Sequence, residues 1–172
     1  MASLHRETVL AAPAEAVWAA LREAGAVHRL FPGVLAAARL EGEIRVVAFA
    51  DGQEVRERIL GLDETRRRIA YAVLREGLHH AAAMRVLPDG PDRCRFLWTT
   101  DVRPDAAAAR IGALMDAGIA ALHRWAAGRC ATSGDAGTSR PVATVPETND
   151  APRRPAAAAR PARRLRRSAA HE

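Results

Sequence analysis

The spacing of apolar residues near residue 120 predicts one long helix. Over residues 105–129, apolar side chains recur every three or four positions, which places them on one face of an α-helix. This stripe consists of Ile111, Leu114, Met115, Ile119, Leu122 and Ala126. Pro104 and Asp105 are typical of a helix start, and Gly128 is typical of a helix end. The pattern therefore predicts a helix from Asp105 to Arg129.

Before this helix, apolar and polar positions alternate, which is the period of a half-buried strand. Leu4 to Ala11 predicts a first strand, and Pro13 then stands where helices commonly begin. Two short helices are predicted over 14–23 and 26–30. Six further strands are predicted over 34–40, 44–49, 54–62, 68–74, 80–87 and 94–101. Short sequential strands joined by tight turns favour an antiparallel meander over a parallel sheet.

The turn between the third and fourth strands decides which side chains face inward. Asp51-Gly52 is a strong signal for a two-residue hairpin turn. In that register Val46 lies opposite Glu57, and Arg45 pairs with Arg58 on the other face. A bulge or a longer loop reverses these faces. We favour an outward, solvated Arg45, whereas an inward Arg45 would bind an anionic or enolate oxygen.

Composition and charge change sharply after Cys130. Residues 1–130 hold 18 arginines and 16 acidic residues, and residues 131–172 hold 8 arginines and 4 acidic residues. The second segment is rich in Ala, Pro, Arg, Ser and Thr and has few large apolar residues, so it cannot offset its ordering entropy. We predict a folded domain over 1–130 and a disordered tail over 131–172. Without aromatic residues among its arginines, the tail predicts no specific nucleic-acid partner.

The cysteines and histidines do not predict a metal or disulfide site. Cys94 and Cys130 are the only cysteines, and nothing in their positions suggests that they pair. A set made of His79, His80, His123 and Cys94 lacks any recognised ligand spacing. No secretory signal opens the chain, and no apolar run has the length of a membrane span. We expect a reduced, cytoplasmic protein without cofactor or metal.

Several short motifs follow one another in the order and spacing of a known family. They are Ala12-Pro13-Ala14-Glu15-Ala16-Val17-Trp18, Gly52 through Glu57-Arg58, Asp63, Tyr71, His79-His80, Trp98, Asp101 and Pro104-Asp105. Over roughly its first three quarters the chain resembles the START/Bet v 1-like (SRPBCC) superfamily, and within it the bacterial polyketide cyclase/dehydrase and lipid transport group. Phe31 is a departure, because the family often has Trp before this Pro.

The resemblance implies an α+β helix-grip fold. In this fold a curved, seven-stranded antiparallel sheet surrounds the long C-terminal helix, two short helices follow the first strand, and a ligand cavity lies between helix and sheet. Gly112 and Gly118 interrupt the helix stripe, and alanines are frequent on helix and sheet. Small residues there leave unfilled volume, or else they let helix and sheet approach closely without a cavity. The resemblance favours the cavity.

Three residues are candidates for proton transfer. Glu57 shares the expected inner face of its strand with Val55 and Ile59, so it needs a partner or a raised pKa. It is a candidate general acid or base, and the alternative is a structural ion pair with an arginine. His80 is the inward candidate of the His79-His80 pair, and a histidine in the core is the alternative. Tyr71 would donate to a ligand carbonyl or only border the core.

A further set of residues is expected to contact the ligand. Trp98 could stack on a flat molecule or form part of the core. The predicted ligand-binding residues are Arg45, Met84, Trp98, Ile111, Met115 and Ile119.

Two functional classes follow from this set. The first is an enzyme, a cyclase or dehydratase that promotes aldol closure and water loss on a poly-β-ketone. The second is a non-catalytic carrier of a lipid or similar hydrophobic molecule. A weaker third class is an interaction protein acting through its arginine-rich tail.

Overall fold

All seven predicted strands are present in the computed structural model, which describes residues 1–133. The strands are β1 (Ala2–Leu10), β2 (Leu35–Glu41), β3 (Ile44–Phe49), β4 (Glu54–Asp63), β5 (Arg68–Val73), β6 (His79–Pro88) and β7 (Cys94–Arg103). The helical elements are α1 (Ala14–Arg22), a 3₁₀ helix (Ala24–Leu30), a 3₁₀ turn (Asp105–Ala107) and α2 (Ala108–Ser133). From residue 134 onward, the predicted disordered tail lies outside the described residues.

The strands form one antiparallel sheet in the order β1-β7-β6-β5-β4-β3-β2. From β2 to β7 each strand pairs with the next in the chain, as the tight turns predict, and β1 pairs with β7. Together with the C-terminal helix, this arrangement confirms the α+β helix-grip fold. No helix in residues 1–133 is long and apolar enough to cross a membrane.

The long helix differs from its prediction at both ends. Residues Asp105–Ala107 form a 3₁₀ turn, and α2 begins only at Ala108. At the other end α2 continues to Ser133, so the predicted stop at Gly128 is wrong. Gly128 is not among the glycines with positive φ, and its backbone stays helical. A glycine inside a helix costs only about 1 kcal/mol relative to Ala, which is too little to end a long helix by itself.

The hairpin between β3 and β4 has a three-residue loop, Ala50 to Gly52, so the predicted two-residue turn is wrong. The N–H of Phe49 donates to the carbonyl of Gln53 at 2.8 Å, and Gly52 has the positive φ of 86° that this loop requires. The added residue shifts the register by one position and places Arg45 opposite Glu57. Arg45 is therefore buried, which corrects the expectation of an outward, solvated side chain.

Buried side chains form two clusters along α2. The larger one joins α1, the 3₁₀ helix and the sheet to the C-terminal half of α2, where Leu122 and Ala126 are buried. The smaller one surrounds Ile111 and Met115 on the N-terminal half. Trp98 packs against both clusters. The solid packing at one end of α2 leaves its other end as the place where the sheet and helix enclose empty space.

Candidate ligand cavity

A cavity lies between the inner face of the sheet and the N-terminal half of α2. Its volume is about 110 Å³. Its walls are mainly apolar, formed by Val27, Phe31, Val34, Leu35, Val47, Phe49, Val55, Val73, Leu78, Met84, Trp98, Ile111, Leu114, Met115 and Gly118. Its polar lining residues are Arg45, Gln53, Glu57, Tyr71, Arg75, His80 and Arg110. An apolar wall with a few polar groups is typical of a small-molecule site.

The side chain of Trp98 forms one end of the cavity, and Gly118 makes room for it. A Cβ atom at Gly118 would lie 2.7 Å from Cζ3 of Trp98 and 3.6 Å from a ring carbon of Phe31. The Phe31 and Trp98 rings contact each other, with centroids 5.8 Å apart. Gly118 therefore permits close packing here and leaves no empty volume of its own.

The other small residues of α2 do not create the cavity. A Cβ atom at Gly112 would meet the guanidinium of Arg6 at 3.3 Å, and Ala117 and Ala120 are exposed. Of the two alternatives for these small residues, unfilled volume or close approach of helix and sheet, the contacts at Gly118 support close approach, and Gly112, Ala117 and Ala120 do not line the cavity.

A buried ion pair joins two strands on the cavity wall. Nε of Arg45 on β3 donates to Oε2 of Glu57 on β4 at 2.7 Å, and the two residues are only 2% and 7% exposed. The Arg45 guanidinium also stacks over the Tyr71 ring, 4.8 Å from its centroid. The structural ion pair considered for Glu57 is thus present, and it compensates two charges that would be costly to bury alone.

Two buried donors on this wall lack a hydrogen-bond partner among the described residues. They are Nη1 of Arg45 and Nε1 of Trp98. The Trp98 N–H lies close enough to the Tyr71 hydroxyl to lower the pKa of that hydroxyl, but it does not complete a hydrogen bond of regular geometry. Because buried donors in proteins are nearly always paired, the Nη1 group of Arg45 points to an acceptor that is supplied from outside the chain, whereas the Trp98 N–H already has the Tyr71 hydroxyl nearby.

Burial sets the protonation states of the cavity groups. It raises the pKa of the Glu57 carboxyl, and the adjacent Arg45 guanidinium opposes that rise. Burial and the negative charge of Glu57 raise the pKa of Tyr71, which therefore stays protonated and acts as a donor. His80 shows the opposite shift, because burial and the positive charge of Arg110 lower its pKa. His80 is therefore a neutral imidazole at pH 7, able to accept a proton.

The two ring systems suited to proton transfer are close together. The Tyr71 and His80 rings have centroids 6.3 Å apart, and both line the cavity. His79 is exposed, as the alternation of the strand predicts. The structure therefore brings all three predicted proton-transfer residues, Glu57, Tyr71 and His80, to one cavity.

Five of the six predicted ligand-binding residues line the same cavity. They are Arg45, Met84, Trp98, Ile111 and Met115. Ile119 is the exception, since it packs against the larger core cluster. Trp98 and Phe31 close the cavity at the level of Gly118, so Ile119 lies beyond the enclosed space.

Sequence reasoning missed the polar residues of the mouth, Gln53, Arg75 and Arg110. Gln53 follows the β3–β4 loop, Arg75 follows β5, and Arg110 lies in the first turn of α2. Their common signal is position, because each stands at a loop or helix start that this topology brings to one end of the sheet. No group of three potential metal ligands occurs in residues 1–133.

The chain was compared with protein families, curated proteins and solved structures. The family model described as polyketide cyclase / dehydrase and lipid transport matches residues 1–133. No curated protein matches the sequence.

Among solved structures, the chain is similar to a protein from Thermobifida fusca at 30% identity, with a TM-score of 0.61, over 75% of this chain and 95% of that one. It is also similar to norcoclaurine synthase from Thalictrum flavum in complex with dopamine and hydroxybenzaldehyde (19% identity, TM-score 0.58, 76% of this chain and 87% of that one). A third similar structure is the di-domain ARO/CYC protein BexL from the BE-7585A biosynthetic pathway (16% identity, TM-score 0.63, 72% of this chain and 46% of that one).

Proposed function

Since the chain belongs to the polyketide cyclase/dehydrase and lipid transport family, we propose that it binds a hydrophobic small molecule, aromatic and polyketide-like or lipid-like, in the cavity beneath α2. The observation that carries this proposal is the cavity itself, whose mainly apolar wall holds a small number of buried polar groups. Titratable side chains with perturbed pKa values that line one cleft are a common mark of a functional site, which supports the proposal.

The size of the cavity limits the part of the ligand that it encloses. An engineered cavity of about 150 Å³ in another protein binds one benzene molecule. The cavity described here, at about 110 Å³, therefore suits a single ring or a short acyl segment. The remainder of a larger ligand would leave through the mouth near Arg75 and Arg110.

The cavity groups also support an acid–base reaction on a carbonyl compound. In this proposal the neutral His80 imidazole removes a proton from the carbon next to a carbonyl, while the Tyr71 hydroxyl donates a hydrogen bond to the carbonyl oxygen. The resulting enolate carbon attacks a second carbonyl of the same molecule, and the new alkoxide takes up the proton that the His80 imidazolium now carries. Loss of this hydroxyl with a neighbouring hydrogen, as water, completes a cyclase and dehydratase reaction.

Glu57 is less suited to be the base than His80. One of its oxygens already accepts the Arg45 Nε–H at 2.7 Å, and moving a proton onto that carboxylate would weaken the pair. We therefore assign proton removal to His80 and keep Glu57 as a second candidate. The engagement of Glu57 equally supports the non-catalytic carrier, in which the ion pair only shapes the wall.

The binding proposal is tested by mass spectrometry of the full-length chain. Native spectra should show a mass above that of the polypeptide, and denaturing spectra should show the polypeptide alone together with a released apolar molecule. Purified protein that carries no excess mass, and that binds none of a set of single-ring aromatic probes, would contradict the proposal.

Catalysis is tested separately from binding. Acetophenone in D₂O exchanges its methyl hydrogens only when a base removes them, and ¹H NMR follows the exchange. The enzyme proposal expects faster exchange with the wild-type chain and its loss in His80→Gln, with exchange retained in the exposed neighbour control His79→Gln. Binding of acetophenone without accelerated exchange would identify a carrier.

The tail provides the test of the third functional class. Deleting residues 134–172 keeps the whole of α2 and should leave ligand binding unchanged. Loss of binding on this deletion would contradict the cavity as the seat of function.

A further inference from the structure

The open end of the cavity carries two arginines, which indicate the chemistry of the part of the ligand that stays outside. Resting on the proposed function, we infer that the ligand is an amphipathic anion. Its apolar end fills the cavity, and its carboxylate or phosphate end is held at the mouth by Arg75 and Arg110. The site for this acidic group is separate from the buried ion pair of Arg45 and Glu57.

A surface groove continues the cavity at its mouth. The groove is lined by Gln53, Arg75, Glu76, Gly77, Leu78, Pro104, Ala107 and Arg110. Four of these residues also line the cavity, namely Gln53, Arg75, Leu78 and Arg110. The cavity therefore opens into the groove, and a ligand that extends out of the apolar interior passes between the β5–β6 loop and the first turn of α2.

The positive charge at this mouth is not neutralised by the chain. Within residues 1–133, the side chains of Arg75 and Arg110 form no hydrogen bond and no ion pair, although Glu76 lies in the same groove. Deeper in the cavity, Glu57 neutralises Arg45 across a distance of 2.7 Å. The charged residues that line the cavity are three arginines and one glutamate, so their net charge is +2 and it lies at the mouth. Even with Glu76 of the groove included, one positive charge remains.

Two guanidinium groups at one opening suit an oxyanion. Each presents a planar set of N–H donors that matches two oxygens of a carboxylate or phosphate, and Gln53 adds a neutral amide beside them. Both arginines are exposed, so an acidic group bound there keeps part of its hydration. It thereby avoids the cost of burying a charge against the apolar wall. The acidic end therefore stays at the mouth while the apolar end enters.

The length of the cavity sets the separation between the two ends of the ligand. Arg110 at the mouth and Gly118 at the closed end are eight residues apart on α2, which is roughly 12 Å at the rise of an α-helix. The interior suits a single ring, so several carbon atoms connect that ring to the acidic group. His80 lies near this connecting chain, because its pKa is lowered first by burial and then by the charge of Arg110.

An acid and its matched amide test this inference on the full-length chain. 4-Phenylbutyrate carries the ring, the connecting chain and the acid, and 4-phenylbutanamide replaces the acid with a neutral group of nearly the same shape. Isothermal titration calorimetry gives both dissociation constants. Single exposed ion pairs are weak, so with two arginines we expect the acid to bind about 5- to 30-fold more tightly than the amide. Because the mouth is open to solvent, raising the salt from about 0.05 M to about 0.5 M should remove most of this preference. The same titration with 4-phenylbutyl phosphate distinguishes the two acidic groups.

Two variants and one control locate the acidic group. Arg75→Gln and Arg110→Gln should each lower the preference for the acid by about 3-fold or more, while the affinity for the amide stays the same. Arg103→Gln is the matched control. Arg103 is also exposed and has no side-chain partner within residues 1–133, but it lines neither the cavity nor the groove. The control removes the same charge from the chain and should keep the full preference.

The outcomes separate this inference from the proposed function. Equal affinity for the acid and the amide would overturn the inference while leaving a hydrophobic cavity in place. A preference for the acid that persists unchanged in both mouth variants would place the anion elsewhere and overturn the role of Arg75 and Arg110. Binding of none of the probes would contradict the proposed function itself, and the inference with it.

Discussion

Replacing Gly118 with Ala tests the contact that closes the cavity. The new methyl carbon would lie 3.2 Å from Cη2 of Trp98 and only 2.7 Å from Cζ3, and the second distance is closer than real Cβ atoms approach. The indole is rigid and is flanked by Phe31 and Phe96, with ring centroids at 5.8 and 6.5 Å. The indole therefore has to move toward the open space of the cavity, which reduces the volume available to a ligand.

Two opposing effects set the size of the change. An alanine inside a helix is more favourable than glycine by about 0.8–1.0 kcal/mol, and overpacking a core costs about 1–3 kcal/mol. Gly128→Ala provides the matched control, because it lies in the same helix and no nonlocal atom lies within 4 Å of its new Cβ. Both variants replace a glycine inside α2, so the gain in free energy from the better helix propensity of alanine is nearly the same in each. Gly118→Ala should therefore be less stable than Gly128→Ala by about 1–3 kcal/mol.

Urea unfolding and thermal unfolding measure this difference. In a folded region of this length, it corresponds to a melting temperature lower by roughly 4 °C for each kcal/mol. Acetophenone affinity should also fall in Gly118→Ala and stay unchanged in Gly128→Ala. Equal stabilisation of the two variants would refute the close packing of Trp98 on α2.

Three further predictions concern buried titratable groups. Replacing Arg45 with Met leaves the Glu57 charge unpaired and should lower the free energy of unfolding by about 3–5 kcal/mol. Combining Arg45→Met with Glu57→Leu should restore most of this loss. Additive losses in a double-mutant cycle would contradict the buried pair. Burial lowers the pKa of His80 in the folded chain, whereas in the unfolded chain this histidine binds a proton near pH 6.5. The free energy of unfolding should therefore fall as the pH is lowered from about 7.5 to about 5.5. His80→Gln should flatten that slope in urea titrations, and parallel pH profiles would show that His80 is not the cause. Burial raises the pKa of Cys94 to about 11, so iodoacetamide should modify this thiol slowly at pH 8 until urea unfolds the protein. The measurement uses a Cys130→Ser background, and modification of the folded protein at the rate of a free thiol would contradict the prediction.

The strands could be predicted from the sequence because alternation and turn residues both mark their limits. The register of one hairpin could not. Asp51-Gly52 predicts a two-residue turn, but Ala50 joins the loop, and nothing in the residue types distinguishes the two cases. A shift of one residue moves every side chain to the opposite face, so this small difference decided whether Arg45 was solvated or part of the site.

Some cavity residues could be predicted from the sequence pattern and others could not. Tyr71, His80 and Met84 follow from strand periodicity alone, because each stands on the apolar face of its strand. Ile119 shares the apolar face of α2 with Met115, but the indole of Trp98 closes the cavity between them. Periodicity assigns a residue to a face, whereas the limit of an enclosed space depends on side chains from distant strands.

The pairing of β1 has a consequence for how the protein is made. In residues 1–133, the sheet order gives the N-terminal strand one neighbour, β7, which is the last strand to leave the ribosome. Strands β2 to β6 can pair one after another during synthesis, while the backbone hydrogen-bonding groups of the nine-residue β1 remain unpaired on both edges. Such closure between distant parts of a chain is slow. Folding of the nascent chain therefore requires that β1 forms no other contacts until residues up to Arg103, the end of β7, have been synthesised.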